Sequence, residues 1–258
     1  MTIKIISVIM PALNEEQALG ASAANVLAGF RHFSLSGELV IVNDGSSDRT
    51  GEIAEELAAR HDNIKVVQHA VPEGIGSAFR DGVKAAVGEL VVYIPGDGEN
   101  DAAEIFRYIP LMETVDVVIP YVTNPEIRPW RRRFISSFYH FIMTRTFSIP
   151  VKYMNGNVIY RRSILEGVPY RSNGFFYQAE LLIKVLGRRY LYAEVPYLQK
   201  FRLGGRSKSV NFSGLVIVFR GYFGMVKDQY CSRKELQILS PASVTARKRG
   251  EPAGKCPC

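Results

Sequence analysis

The chain has 258 residues, enough for one large domain or a core domain with an appendage, and its 47% hydrophobic content is ordinary for a globular protein. Its net charge of +7, most of it beyond Arg128, favours anionic partners. Three cysteines, two of them in Cys256-Pro257-Cys258, make no disulfide framework and fit a reducing compartment.

The run Lys4–Met10 is too short for a secretory segment with its cleavage site and reads as a buried strand that stops at Pro11. A helix is predicted from about Glu15 to Phe30, then a strand over Glu38–Asn43. A second helix covers Asp48–His61, with Ser47 or Asp48 as its cap. Ile64–Gln68 is a third strand. Gly74 and Gly76 open a helix to about Val87, and Leu90–Ile94 is a fourth strand ending at Pro95-Gly96-Asp97. Alternating strands and helices of this kind imply a mostly parallel α/β sheet covered on both faces.

Beyond Asp97 the pattern loosens. Ala102–Met112 and Phe176–Leu186 read as helices, and Val115–Pro120, Asn157–Arg161 and Tyr190–Val195 as strands. Arg128-Pro129-Trp130-Arg131-Arg132-Arg133 precedes Phe134, Phe138, Tyr139 and Phe141. Such a segment suits a helix at an anionic membrane surface and equally a surface helix with its apolar stripe in the core. Arg202–Ser209 reads as a cationic loop. Phe212–Tyr230 is the longest apolar stretch, but Arg220 and Lys227 interrupt it, and nothing reaches the ~20 apolar residues that span a bilayer. From Ser240 the chain is polar and basic, which predicts a disordered tail.

In an open α/β sheet, ligands bind outside the carboxyl ends of the strands. Three polar clusters fall at such ends: Pro11-Ala12-Leu13-Asn14-Glu15, Asn43-Asp44-Gly45-Ser46-Ser47-Asp48 and Gly96-Asp97-Gly98-Glu99. Each alone is also a turn or a helix cap. Together they gather carboxylates that repel one another unless a cation sits among them, and hard oxygen ligands suit Mg²⁺ or Mn²⁺ bound to a substrate phosphate.

The strings VIMPALNEE, VNDGSSDRT, GIGSAFRDGVKAA and GDGEND resemble the family-two glycosyltransferases of the GT-A fold. The segment from Gly174 to Ser209 is similar to their polyprenyl-phosphate, dolichol-phosphate mannosyltransferase-like branch. The resemblance implies a Rossmann-like, mostly parallel GT-A sheet flanked by helices over residues 1–210. An amphipathic helical extension over 211–239 and the tail 240–258 would follow. It implies transfer of a sugar from a nucleoside diphosphate to a polyprenyl-phosphate lipid or, in the alternative, to a saccharide hydroxyl. The protein would be cytoplasmic and attached to the inner face of the membrane.

By the same resemblance, Pro11, Ala12, Asn14 and Glu15 line the base and ribose pocket, and Asp44 contacts the base. Gly74, Gly76 and Ala78 allow close approach of the donor. Asp97 matches the second carboxylate of an Asp-x-Asp motif and binds the metal, with Glu99 supplying another carboxylate, because Pro95 stands where the first Asp would be. Gln178 and Glu180 face the acceptor, Glu180 being the candidate general base for a hydroxyl, and Arg202 and Lys208 bind phosphate. A nucleotidyl-transfer protein would instead carry a Gly-rich loop after the first strand, which Pro11–Glu15 is not. A sugar-nucleotide binder without activity is a further alternative. No nucleic-acid partner is expected, since no recognition motif accompanies the arginines.

Overall fold

The computed structural model describes residues 5–124, 126, 130–199, 221–227 and 239–250. In chain order the elements are β1 (Ile6–Ala12), α1 (Leu19–His32), β2 (Gly37–Asp44), α2 (Thr50–Arg60), β3 (Ile64–His69), α3 (Ile75–Ala85), β4 (Leu90–Tyr93) and α4 (Ala102–Phe106). A 3₁₀ turn (Ile109–Glu113) leads to β5 (Val117–Val122), α5 (Trp130–Phe147), β6 (Ile159–Arg161), α6 (Arg162–Leu165), α7 (Tyr177–Gly187) and β7 (Tyr192–Tyr197). A helix over residues 221–227, here α8, and α9 (Val244–Arg249) complete it.

The strands form one sheet in the order β3-β2-β1-β4-β6-β5-β7. All pairings are parallel except those of β6, which runs antiparallel to both β4 and β5. Strand alternation sorts the core into two layers. Ile9, Val40, Val42, Val91 and Tyr93 face Phe79 of α3 and Leu182 of α7. Ile6, Val8, Met10, Leu39 and Ile41 face Leu19, Val26 and Phe30 of α1 and Phe106 of α4. Each such side chain, fully buried, contributes about 1.5–3 kcal/mol. This is the two-sided α/β sheet that the short apolar runs imply.

The amino-terminal rim of the sheet is closed by a polar cluster. Ser7 Oγ donates to Glu38 Oε1 at 2.5 Å and accepts from Gly88 N at 2.8 Å, while Lys65 Nζ lies 2.8 Å from Glu38 Oε2.

Residues 239–250 are folded where a disordered tail was expected from Ser240, and residues 251–258 lie outside the described residues. Asp116 and Arg161 are 0% and 1% exposed, with Arg161 Nε donating to Asp116 Oδ1 at 3.0 Å and Nη2 to the Met112 carbonyl at 2.6 Å. The same carboxylate accepts from Val244 N at 2.7 Å, from Thr245 N at 2.9 Å and from the Thr245 hydroxyl. Ser243 caps α9 through Ala246 N, and Gly250 ends it in the left-handed region. A buried carboxylate is costly without such partners, so residues 239–250 belong to the folded body although their composition is polar. Likewise α8 packs inward: Met225 is buried, Tyr222 shares a hydrogen bond with Thr146, and Gly221 lies against Phe176. The rest of 211–239 lies outside the described residues.

Candidate active site

The four amino-terminal strands, all parallel, end at one rim. In register, Pro11 faces Val42 and Ala12 faces Asn43, and the backbone after β4 continues beside β1, with Gly96 N donating to the Pro11 carbonyl at 3.1 Å. The strand order places β1 between β2 and β4, so Asp44 and Asp97 flank the loop after Ala12, each one strand away. The chain leaves β1 toward β2 and later returns to β4 on its other side. That is the topological switch point where open sheets bind ligands.

The loop after β1 is tied to the loop after β2. Asn14, at φ 53°, donates its N–H to Ser46 Oγ at 3.0 Å, and its Oδ1 accepts from Ser47 N at 2.8 Å. Glu15 N donates to Thr50 Oγ1 at 2.8 Å, and Asp48 Oδ1 accepts Thr50 N at 3.0 Å, which makes Asp48 the residue that closes the start of α2. The expected pocket residues Pro11, Ala12, Asn14 and Glu15 are thus brought together as one braced wall. Asn14 spends its side chain on Ser47.

Asp44 is 3% exposed. Its Oδ1 accepts from Glu73 N at 2.8 Å and lies 2.8 Å from His69 Nδ1, and its Oδ2 accepts from Gly74 N at 2.9 Å. Gly45, at φ 66°, lies under Val71, whose carbonyl carbon would meet an added Cβ at 2.3 Å. The carboxylate therefore holds the loop between β3 and α3 over the rim, with lone pairs to spare for one further donor.

Asp97 and Glu99 form the other wall. Glu99 N donates to Asp97 Oδ1 at 3.1 Å, and Glu99 Oε2 accepts from Gln199 Nε2 at 2.9 Å. Gly98 sits at φ 75°, the conformation that lets the turn bring both side chains to the same side. Burial, then the charges of Asp97 and Glu99, push the pKa of the Tyr93 hydroxyl well up, so both carboxylates act on one buried point at the end of β4. Two hard oxygen donors at the end of β4 are of the kind that Mg²⁺ or Mn²⁺ takes.

Four expectations need correction. Gly74 and Gly76 make room for protein: an added Cβ at Gly76 would lie 2.2 Å from the Ser172 carbonyl oxygen, and one at Gly74 2.6 Å from that of Asn173. Ala78 is wholly buried in the core and has no surface to offer a donor. Glu180 is not disposed to act as a base. It is 3% exposed, and its carboxylate accepts from Arg171 N and Ser172 N at 3.0 Å and from Lys184 Nζ at 2.6 Å. Burial alone would raise its pKa, but the bond from Lys184 and those from the 171–172 backbone overcome this and hold it below the ordinary carboxylate value. Gln178 is half-buried, 3.4 Å from the Tyr177 hydroxyl, beside a small cavity lined by Phe79, Tyr93 and Tyr160. Arg202 and Lys208 lie outside the described residues.

Sequence reasoning missed the segment 170–173, which bridges α7 to α3: the Tyr170 hydroxyl donates to the Gly76 carbonyl at 2.8 Å, and Gly76 N to the Asn173 carbonyl at 2.6 Å. It also missed His69, although a polar residue at the end of β3 obeys the strand-end rule that found the other clusters.

A mostly parallel sheet with paired carboxylates at its switch point is an architecture suited to binding a ligand at that rim. Residues 7–168 match Glycosyl transferase family 2, and the chain belongs to that family. It is 31% identical over 216 residues to a dolichol-phosphate mannosyltransferase of Pyrococcus furiosus, an alignment covering 79% of this chain and 58% of the relative. It is 30% identical over 147 residues to an undecaprenyl-phosphate 4-deoxy-4-formamido-L-arabinose transferase of Edwardsiella ictaluri, covering 56% and 45%. The chain thus spans about half the length of these two relatives. Glucosyl-3-phosphoglycerate synthase from Mycobacterium tuberculosis, crystallised with Mg²⁺ and uridine diphosphate, superposes with a TM-score of 0.64 at 18% identity, over 90% of this chain and 81% of that one. That likeness confirms the fold.

Proposed function

We propose that this protein transfers a sugar from a nucleoside diphosphate to a lipid phosphate of the polyprenyl type. The observation that carries the reading is the meeting of Asp97 and Glu99 with the braced 11–15 loop and Asp44 at one rim, in a chain of a glycosyltransferase family. The donor's base and ribose lie along the 11–15 loop and Asp44, and its diphosphate along Asp97 and Glu99. Those two carboxylates would hold Mg²⁺ or Mn²⁺, which offsets the negative charge gathered by the departing diphosphate.

The surroundings of Glu180 support the phosphate acceptor. A hydroxyl acceptor needs a base to take its proton, whereas a phosphate acceptor is already anionic. Glu180 accepts three hydrogen bonds and is held ionised by Lys184, which favours the phosphate acceptor. The printed activities of the Pyrococcus and Edwardsiella relatives, both on lipid phosphates, point the same way.

Access to a lipid is supported by α5. Trp130, Phe134, Phe138 and Phe141 are 71%, 68%, 59% and 61% exposed, spaced three or four residues apart along one side of the helix. Met143 and Phe147 turn inward to the core. The helix thus buries part of its apolar surface in the core, and its exposed aromatic side chains support a place at the boundary of an anionic membrane. Among the described residues no helix is long and apolar enough to cross a membrane.

The test is incubation with labelled UDP-, GDP- and dTDP-sugars, Mn²⁺ and polyprenyl phosphate, followed by solvent extraction. Label in the lipid phase, absent with Asp97→Ala, is the expected result. Label passing only to water-soluble saccharides would overturn the lipid acceptor, and no transfer from any donor would overturn the activity.

A further inference from the structure

His69 closes β3 with its ring 7% exposed and Nδ1 2.8 Å from Asp44 Oδ1. Asp44 already serves as acceptor to two backbone N–H groups, and with Asp44 accepting here too, Nδ1 carries the hydrogen. In the neutral ring, Nε2 then presents a lone pair. Nε2 is sealed from solvent without a hydrogen-bond partner, and among the described residues only Ser163 Oγ shares that condition. The atom facing it is Asp81 Oδ2 at 3.5 Å, another acceptor. The Glu73 carboxylate completes a group whose ligand atoms lie within 4.8 Å of one another. Two carboxylates and a lone pair pointing inward repel unless something positive sits between them.

We propose that His69 Nε2, Glu73 and Asp81 bind a divalent transition-metal ion of the zinc type. The Nε2–Oδ2 separation of 3.5 Å matches the edge of a tetrahedron with bonds of about 2.1 Å, which is roughly 3.4 Å. Asp44 stands behind the imidazole as the carboxylate that fixes the tautomer of a metal-binding histidine. Asp81 gives its other oxygen to Lys84 Nζ at 2.7 Å and turns Oδ2 toward the imidazole, while the Ser77 hydroxyl, 3.5 Å from that Oδ2, donates to Glu73 Oε2 at 2.8 Å. An imidazole among the ligands selects zinc, cobalt or nickel over magnesium.

This site is distinct from the carboxylates at Asp97. β3 and β4 lie three strands apart in the sheet, roughly 14 Å at ordinary strand spacing. The ion would join the end of β3 and the 70–74 loop to the middle of α3, holding in place the loop whose N–H groups Asp44 receives. The inference stands on this local geometry and is independent of the donor and acceptor assigned above.

The experiment uses the full chain, stripped with chelator, and ZnCl₂ without nucleotide. Melting temperature and bound metal are measured for the wild type, Asp97→Ala, Glu73→Gln, Asp81→Asn and the double variant Cys256→Ser/Cys258→Ser. The expected result is one zinc per chain and a rise in melting temperature in the wild type, Asp97→Ala and the cysteine variant, with affinity at least tenfold weaker in Glu73→Gln and Asp81→Asn. Co²⁺ should give visible absorption without the strong near-ultraviolet band of thiolate ligands. Glu73 is exposed, so Glu73→Gln folds and carries the test if Asp81→Asn does not. No thermal shift with zinc would overturn the proposal in favour of a protonated His69 between Asp44 and Asp81. A shift unchanged in Glu73→Gln, or lost with the cysteines, would overturn it too.

Discussion

The Gly76 N–H donates to the Asn173 carbonyl at 2.6 Å, and no side chain fits at position 76 while it does so. Gly76→Ala puts a methyl group against the Ser172 carbonyl oxygen, a backbone atom that yields only if the 170–173 segment moves. The expected loss is about 1–3 kcal/mol, the usual cost of overfilling a packed contact. Urea unfolding measures it, and an unchanged midpoint would mean that the segment is not held as described.

Glu180 makes the fold sensitive to acid. Its folded pKa is depressed below the ordinary value of 4.5, so its contribution is complete above that pH and disappears as pH falls through the folded pKa. Glu38, held down against burial by Lys65, Ser7 and Val87 N, acts in the same direction. Glu180→Gln is expected to be less stable at neutral pH and to show a flatter pH dependence below about 4.5. Its turnover, corrected for folded fraction, should stay within about tenfold of the wild type, whereas loss of a general base costs roughly 10²–10⁴.

Asp97→Asn and Glu99→Gln address the cation. Calorimetry with a donor nucleotide should show Mn²⁺ strengthening binding to the wild type, with that increment abolished in Asp97→Asn and reduced in Glu99→Gln. Binding without metal is expected to be similar in all three. An increment surviving in both variants would place the ion elsewhere.

Asp116→Ala leaves buried Arg161 with Glu89 Oε1, 3.1 Å from Nη1, as its remaining carboxylate and strips the acceptor from Val244 and Thr245. A loss of about 3–5 kcal/mol is expected. Hydrogen exchange should then rise over residues 243–249, since α9 is anchored there.

Phe134→Ser and Phe138→Ser change residues that are 68% and 59% exposed, so stability should move by less than ~0.5 kcal/mol. Co-flotation with anionic liposomes should fall in each and further in the double variant. Equal flotation of wild type and double variant would remove α5 from the membrane reading.

Much of the first half was legible because each strand is a short apolar run closed by Pro, Gly or Asp. The elements lie within a few residues of where that pattern puts them, and Asp44, Asp97 and the 11–15 loop fall at one rim as strand-end reasoning requires. The reversal of β6 was not legible, because a strand of three residues has no period to read. Glu180 shows a subtler failure. Lys184, four residues on, is visible in the sequence, but the Arg171 and Ser172 amides that share its carboxylate are revealed by no side-chain pattern. Gly74 and Gly76 were read as space for a ligand when a neighbouring backbone fills that space. α9 escaped because its polarity is satisfied by a carboxylate far back in the chain.

That last contact also sets an order of events during synthesis. Asp116 lies on the middle of the chain, while Val244 and Thr245 follow it by 128 and 129 residues. While the ribosome is still extending the polypeptide, β5 and β6 have been made but their central ion pair lacks two of its amide donors and a hydroxyl. The nascent sheet must wait in a partly hydrated form and seals at that edge once the residues of α9 leave the exit tunnel.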